Sequence, residues 1–434
     1  MAKLRIKRFG PIEEGFQEGD GYLTISPVTV FIGPQASGKS TVAKLYSTFT
    51  WLEKAFVKQT FDAFNFKTED FLFLCSNHGL CSGNKSDMYF RSNTEIEYKG
   101  GAFNFSYIDS KFSIMQVMPQ ERHFQHYRRP KIIYVPAERN LLSVLQKAEN
   151  IAQLPQMLSV FQDRYEKAKK NLGSTVFDLP VDGISFRYNK ANATAYIVSA
   201  ESMEIPISAA SSGLQSLAPL ALVSDFLFSG ISDDLVQNLR TLSYNERENI
   251  KQILIDACSN KDYARILERK FDNVFLSGTV GIEPGIVIFM KEQLKYYFNT
   301  CFINIVEEPE QNLFPSSQKG VLFNLLRYVN ANDANELFIT THSPYIIAYL
   351  TLAIKAFELG KLGGSVERIA RIVPPDSFVD GKVCTVYEIN SGVIKKLKTY
   401  GSGMPSDNNE LNNFLTKTND QFDELLEIQE DAGL

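Results

Sequence analysis

Val28-Thr29-Val30-Phe31-Ile32-Gly33-Pro34-Gln35-Ala36-Ser37-Gly38-Lys39-Ser40-Thr41 runs from an apolar, β-branched stretch into GxxxxGKS. This is the order of a buried strand followed by a phosphate-binding loop. The two glycines let the backbone wrap closely around a polyphosphate. Its N–H groups and the N-terminus of the next helix then point at the anion. Lys39 adds a full positive charge at the β/γ-phosphates, and the Ser40 hydroxyl suits Mg²⁺. Thr41 to Tyr46 reads as the helix that this arrangement requires. Gly33 through Thr41 are therefore the expected nucleotide-binding residues. The octet alone suits a kinase or a GTPase equally well.

A second segment carries the complementary chemistry. Phe302-Ile303-Asn304-Ile305-Val306-Glu307-Glu308 is an apolar strand ending in paired carboxylates. Phosphoryl transfer needs a group to hold Mg²⁺ and a group to orient water, both at one strand end. Glu307 is assigned to the metal and Glu308 to the attacking water.

Further motifs occur in a recognisable order. Tyr134-Val135-Pro136-Ala137-Glu138-Arg139-Asn140, Ser211-Ser212-Gly213-Leu214-Gln215, Glu308-Pro309-Glu310-Gln311-Asn312-Leu313-Phe314-Pro315 and Phe338-Ile339-Thr340-Thr341-His342-Ser343-Pro344 follow the phosphate loop. Together they resemble the head of ABC-type AAA ATPases of the overcoming-lysogenization-defect, RecF and SMC-like branch. The resemblance spans residues 28 to 345. It implies an α/β P-loop NTPase fold, an ABC-ATPase head with an antiparallel β subdomain and an inserted helical subdomain.

The resemblance also implies a composite site. ATP and Mg²⁺ held by one head would be capped by Ser212, Gly213 and Gln215 of a second, and His342 would sense the γ-phosphate. Lys39, Glu308 and His342 are the expected catalytic residues, with Ser40 and Glu307 at the metal. ATP binding should then drive a homodimer or a higher homo-oligomer. Three positions depart from the family pattern. Glu307 stands where transporters carry aspartate, and Leu214 where the signature has glycine. The linking glutamine is not identifiable among Gln116, Gln120 and Gln125.

Relatives of this kind act on DNA or gate an effector, as in phage defence or DNA repair, often through a C-terminal Toprim nuclease. Fewer than about 40 residues follow the last head-like strand, too few for another domain. The expectation is a separate effector protein, such as a nuclease, with DNA as a further candidate partner. Two other readings are an ATP-driven transporter subunit and a non-hydrolysing ATP-switched scaffold. The long insertion between Ser212 and Glu307 argues against the first. Intact Lys39, Ser40 and Glu308 argue against the second.

Composition sets broad limits. The chain has 434 residues, 44% hydrophobic and 22% charged, with a net charge of −5. No overall positive field draws it to nucleic acid or to anionic membrane. Five scattered cysteines fit a reducing, cytoplasmic setting. The N-terminus lacks the apolar core of a signal peptide. Tyr345 to Ile354, about ten residues, falls short of the roughly 20 needed to cross a bilayer, so no membrane partner is expected.

The whole chain, 1–434, reads as one elaborated head. A β-rich insertion is expected over 60–130, a helical insertion over 220–298 and an acidic helical tail over 405–434. Strands are expected near Ile372 and Cys384. Three features admit alternatives. Cys75, His78 and Cys81 form half of a zinc-site spacing. Arg122 to Lys131 is a basic cluster suited to a nucleic-acid backbone or to solvent. The apolar face of the tail suits either a partner or its own head.

Overall fold

The computed structural model describes residues 1–58, 60–81, 89–117, 127–145, 154–201, 203–231, 239, 242, 244–277, 282–294 and 298–431. Strands β1 (Lys3–Phe9), β2 (Gly15–Phe16), β3 (Leu23–Thr24) and β4 (Val28–Ile32) lead into helix α1 (Lys39–Val57). After α2 (Thr68–Asn77) come β5 (Phe90–Lys99), β6 (Phe103–Ile108), β7 (Lys111–Gln116) and β8 (Pro130–Val135). A four-stranded sheet then forms from β9 (Val176–Asp178), β10 (Ile184–Asn189), β11 (Thr194–Ser199) and β12 (Glu204–Pro206). The last large-sheet strands are β13 (Cys301–Glu307), β14 (Glu336–Thr340), β15 (Cys384–Asn390) and β16 (Val393–Lys396).

The main sheet has the order β2-β16-β15-β4-β14-β13-β8. From β15 to β8 every neighbouring pair is parallel. Every residue of β4 and β13 is buried, as expected of strands covered on both faces. This parallel order brings the ends of β4, β14 and β13 together. Thr340 is in register with Glu307 on one side and with Phe31 on the other.

A five-stranded antiparallel sheet, β3-β1-β5-β6-β7, draws its strands from both sides of the phosphate loop. Helix α1 lies between the two sheets, which explains why it is buried nearly all round. Tyr46 stacks on Phe338 of β14 at 5.5 Å, and Phe49 stacks on Tyr98 of β5 at 5.3 Å and on Phe105 of β6 at 5.7 Å. Glu53, also on α1, is buried. It accepts hydrogen bonds from the Tyr98 hydroxyl (2.9 Å) and the Ala102 and Phe103 amides (2.7 and 3.1 Å). A Cβ at Gly100 would come within 2.3 Å of this carboxylate, so the turn there requires glycine.

The opposite face of the main sheet carries helices Ser212–Ser229, Pro315–Asn330 and Pro344–Lys361. Helices Tyr244–Asp256, Lys261–Ser277 and Pro284–Leu294 surround a separate cluster that includes Ile250, Phe271 and Met290. The tail forms a helix over Glu410–Asp431, with Phe414, Phe422 and Leu425 exposed.

Two local expectations are corrected. Ile372 is not in a strand. It follows the short helix Val366–Ala370, and Pro374-Pro375 leads into a 3₁₀ turn instead of an extended run. Thr68–Asn77 is helical, started by Asp70, whose carboxylate accepts the Lys67 amide at 2.8 Å.

Glu336 opens β14 half-buried, its carboxyl accepting from the Tyr46 hydroxyl. Burial pushes it from its ordinary value of 4.5 to about 7, against the opposing effect of the Tyr46 bond. Between those values the folded state holds a proton that the unfolded chain has released. Stability therefore falls as pH rises through that window, by at most about 1.4 kcal/mol per pH unit. Glu336→Gln keeps an acceptor for Tyr46 and removes the titration. Its stability advantage over wild type, followed by thermal unfolding, should grow by up to about 3 kcal/mol from pH 4.5 to 7.5. A constant difference across this range would contradict the assignment.

Candidate functional site

The loop after β4 has backbone constraints that only glycine meets easily. Gly33 has φ +143°, and a Cβ there would lie 2.1 Å from the Ile389 carbonyl oxygen of β15. Gly38, which precedes α1, has φ +109°. Pro34 is partly buried, Gln35 and Ala36 are exposed, Ser37 and Thr41 are buried, and Ser40 is exposed at the start of α1. Lys39 turns back into the loop. Its ammonium donates to the carbonyls of Gly33 (2.9 Å) and Pro34 (2.7 Å) and lies 3.4 Å from Ser37 Oγ. Burial brings Lys39 down to about 8, opposed by the negative charges of Glu308, Glu310, Glu307 and Glu410.

The paired carboxylates sit differently despite being neighbours. Glu307 ends β13 and is buried. Its Oε2 is 3.4 Å from the Ala137 amide, and its Oε1 is buried with no hydrogen-bond partner among the described residues. Glu308 has left-handed backbone, φ +43°, and its amide donates to the Thr340 carbonyl at 2.8 Å. Its Oε1 lies 3.5 Å from His342 Nε2. Burial and the Lys39 charge hold His342 below its ordinary value, so this contact is not a strong ion pair near neutral pH.

Lys39, Glu308 and His342 are thus brought together at the ends of three adjacent parallel strands. The glycine-shaped loop with Lys39, the exposed Ser40 hydroxyl and the Glu307 Oε1, which has no partner among the described residues, are a set of groups that fits a magnesium-bound polyphosphate.

Two residues organise this centre that the sequence reading gave no role. Glu310 is half-buried, and its Oε1 accepts from the Thr341 hydroxyl and the His342 amide, each at 2.8 Å. It thereby fixes the segment that carries His342. Arg139 is fully buried. Its Nε donates to the Ser216 carbonyl (3.1 Å), Nη1 to Pro136 (3.1 Å) and Glu307 (2.7 Å), and Nη2 to Glu308 (2.7 Å). One guanidinium therefore ties the carboxylate pair to the helix Ser212–Ser229. The Glu-Pro-Glu and Pro-Ala-Glu-Arg segments were the only signals for these residues.

Ser211 and Ser212 are exposed at the start of that helix. Gly213 packs against the loop after Glu308, where an added Cβ would lie 2.5 Å from the Asn312 carbonyl oxygen. Gln215 is buried. Its amide nitrogen faces the carbonyls of Ile207, Ser208 and Ala210 at 3.0–3.3 Å, so it is engaged by the turn preceding its own helix. Gln116 ends β7, whereas Gln120 and Gln125 lie outside the described residues. So do Arg122, His123 and His126 of the basic cluster. His78 is buried with Nδ1 2.7 Å from Thr48 Oγ1.

The fold is mixed α/β, with the Gly33–Ser40 loop between a central parallel strand and α1. Neither a protein-family model nor a curated protein matches the chain. Among solved structures it is similar to an SmcHead bound to the C-winged helix domain of ScpA, at 12% identity and TM-score 0.37, covering 91% of this chain and 96% of that one. It is also similar to the SMC head domain from Thermotoga maritima, at 10% identity and TM-score 0.33, covering 92% and 98%. A third is the dimeric post-hydrolysis state of the ATP-binding cassette MJ0796 bound to ADP and Pi, at 12% identity and TM-score 0.28, covering 92% and 100%. Similarity at this level assigns neither activity nor partner. Among the described residues no helix is long and apolar enough to cross a membrane.

Arg139→Met should leave four carbonyl oxygens without their donor and cost about 3–5 kcal/mol, the usual scale for breaking a buried charged network. Thermal unfolding measures that loss. An unchanged midpoint would show that the network is not structural.

Proposed function

We propose that the chain is an ATP-binding and ATP-hydrolysing ABC-type ATPase, with Mg²⁺ as its metal and a second copy completing the site. The convergence of Lys39, Glu308 and His342 at adjoining strand ends carries this reading. Lys39 supplies charge to the β/γ-phosphates, and Ser40 and Glu307 hold the metal. Glu308 orients water, with His342 beside it. Mg²⁺ when bound neutralises phosphate charge and positions the γ-phosphoryl group. The exposed hydroxyls of Ser211 and Ser212 at a helix N-terminus suit the γ-phosphate of a neighbouring head. On this reading nucleotide-driven dimerisation is the output, passed to an effector protein or to DNA.

Glu308→Gln should retain ATP binding, stop turnover and accumulate a dimer. Light scattering with ATP that finds only monomer would reject the composite site, while phosphate release reports the hydrolytic step separately. Lys39→Ala should abolish phosphate release, and release that survives in that variant would reject the loop assignment.

The Lys39 value of about 8 also sets a pH dependence. The polyanion favours the protonated ammonium, so ATP affinity should be level below pH 8 and fall by up to about tenfold per unit above it. Lys39→Arg should flatten the fall, as followed by fluorescent-nucleotide titration from pH 7 to 9.5.

A further inference from the structure

A second concentration of positive charge lies at the other end of α1. Lys54 is 15 residues after Lys39 in the same helix, which places it about 22 Å along the axis from the phosphate loop. There a cavity of about 470 Å³ opens between α1, the start of β8 and the residues around Gly230 and Phe298. Lys54, Lys58, Lys131 and Arg164 line it, with Trp51 among its walls, and no carboxylate is among the described lining residues.

The cations are built into this place. Lys54 Nζ is held by the Pro130 carbonyl (2.5 Å) and Asn299 Oδ1 (2.7 Å). Lys131 Nζ has neither a hydrogen bond nor an ion pair among the described residues. It occupies space left by Gly230, where a Cβ would lie 2.5 Å from it. The nearest described carboxylate partner of Arg164 is its sequence neighbour Asp163, at 4.0 Å.

Burial brings Lys54 down to about 7, with Lys58, Arg129 and Lys131 adding like charge. Lys131 is brought down to about 8 by burial, with Arg164 adding to it. Lys54, Lys131 and Arg164 are gathered here with no carboxylate among the described lining residues, so their charges repel one another, and an anion of matching charge relieves this.

We propose that this cavity binds the di- or triphosphate group of a small ligand, forming an anion site separate from the phosphate loop. The volume falls within the range of small-molecule pockets and is too small to admit a duplex. Bidentate Arg164 and the lysine ammonium groups suit phosphate oxygens. Trp51 offers an aromatic surface to a base where the ligand is a nucleotide.

Trp51 is the only tryptophan in the chain and also borders a second cavity with Phe61 and Phe66, so its emission is assigned to this site by the variants below. The test uses the full chain carrying Lys39→Ala, which separates this site from the ATPase reading. Sodium tripolyphosphate and ADP are titrated against Trp51 emission and by calorimetry. One saturable site per chain is expected for tripolyphosphate, weakened at least tenfold by Lys58→Ala with Lys131→Ala at an unchanged thermal midpoint. If that pair disturbs folding, Lys58→Ala with Arg164→Ala is read in the same way. Tighter binding of ADP than of tripolyphosphate identifies a nucleotide, and equal or weaker binding a bare condensed phosphate. No saturable binding, binding indifferent to both pairs, or binding of duplex DNA alone would overturn the proposal.

Discussion

Four backbone carbonyls, those of Pro136, Ser216, Glu307 and Glu308, share one buried guanidinium. A charge taken out of water is tolerable only when its donors are nearly all used, and Arg139 satisfies this with carbonyls from three separate segments. The consequence is geometric. The chain must leave β13 at a fixed angle, and Glu308 is held at a left-handed φ that costs a non-glycine residue energy. That turn separates two adjacent carboxylates by environment: Glu307 remains buried beside Ala137, whereas Glu308 reaches His342. Without the clamp the same two residues would be a flexible acidic strand end.

The clamp also joins the centre to the helix Ser212–Ser229. Arg139 reaches Ser216, the Ser216 hydroxyl meets Gln311 Oε1 at 2.9 Å, and Gly213 lies against Asn312. Displacement of the loop after Glu308 therefore loads the helix whose N-terminus presents Ser211 and Ser212. Glu310 extends the same loop to the segment before His342. The parts named for nucleotide chemistry in the sequence are thus mechanically one body.

What the sequence revealed follows from the range of the interactions. The phosphate loop was legible because its glycines, lysine and flanking elements are contiguous, and β14 because five apolar or β-compatible residues stand between turns. Arg139 was not assigned a role because its acceptors at Glu307 and Glu308 lie 168 and 169 residues away. Gln215 read as a signature residue, yet its partners are carbonyls five to eight residues earlier, a local closure that its motif did not announce. Helix Thr68–Asn77 was hidden among aromatic residues that pack against the antiparallel sheet. Phe71, for example, stacks on Phe112 at 4.2 Å. Around Ile372 the apolar residues mimicked a strand, but the following prolines remove the donors that a central strand needs.

Helix α1 has opposite electrostatic needs at its two ends. Its N-terminus carries about half a positive charge, which adds to Lys39 in favour of an anion. Its C-terminus carries about half a negative charge, which Lys54 and Lys58 counter as ordinary capping cations do. That role does not extend to Lys131 and Arg164, which come from other elements and line the same cavity. Of the strands that begin at this end, β8 supplies the Pro130 carbonyl, and that acceptor is already taken up by Lys54. Among the described residues the charge of Lys131 and Arg164 is therefore left for something other than the helix to neutralise, and the stacking that locks α1 between two sheets keeps Lys54 beside them.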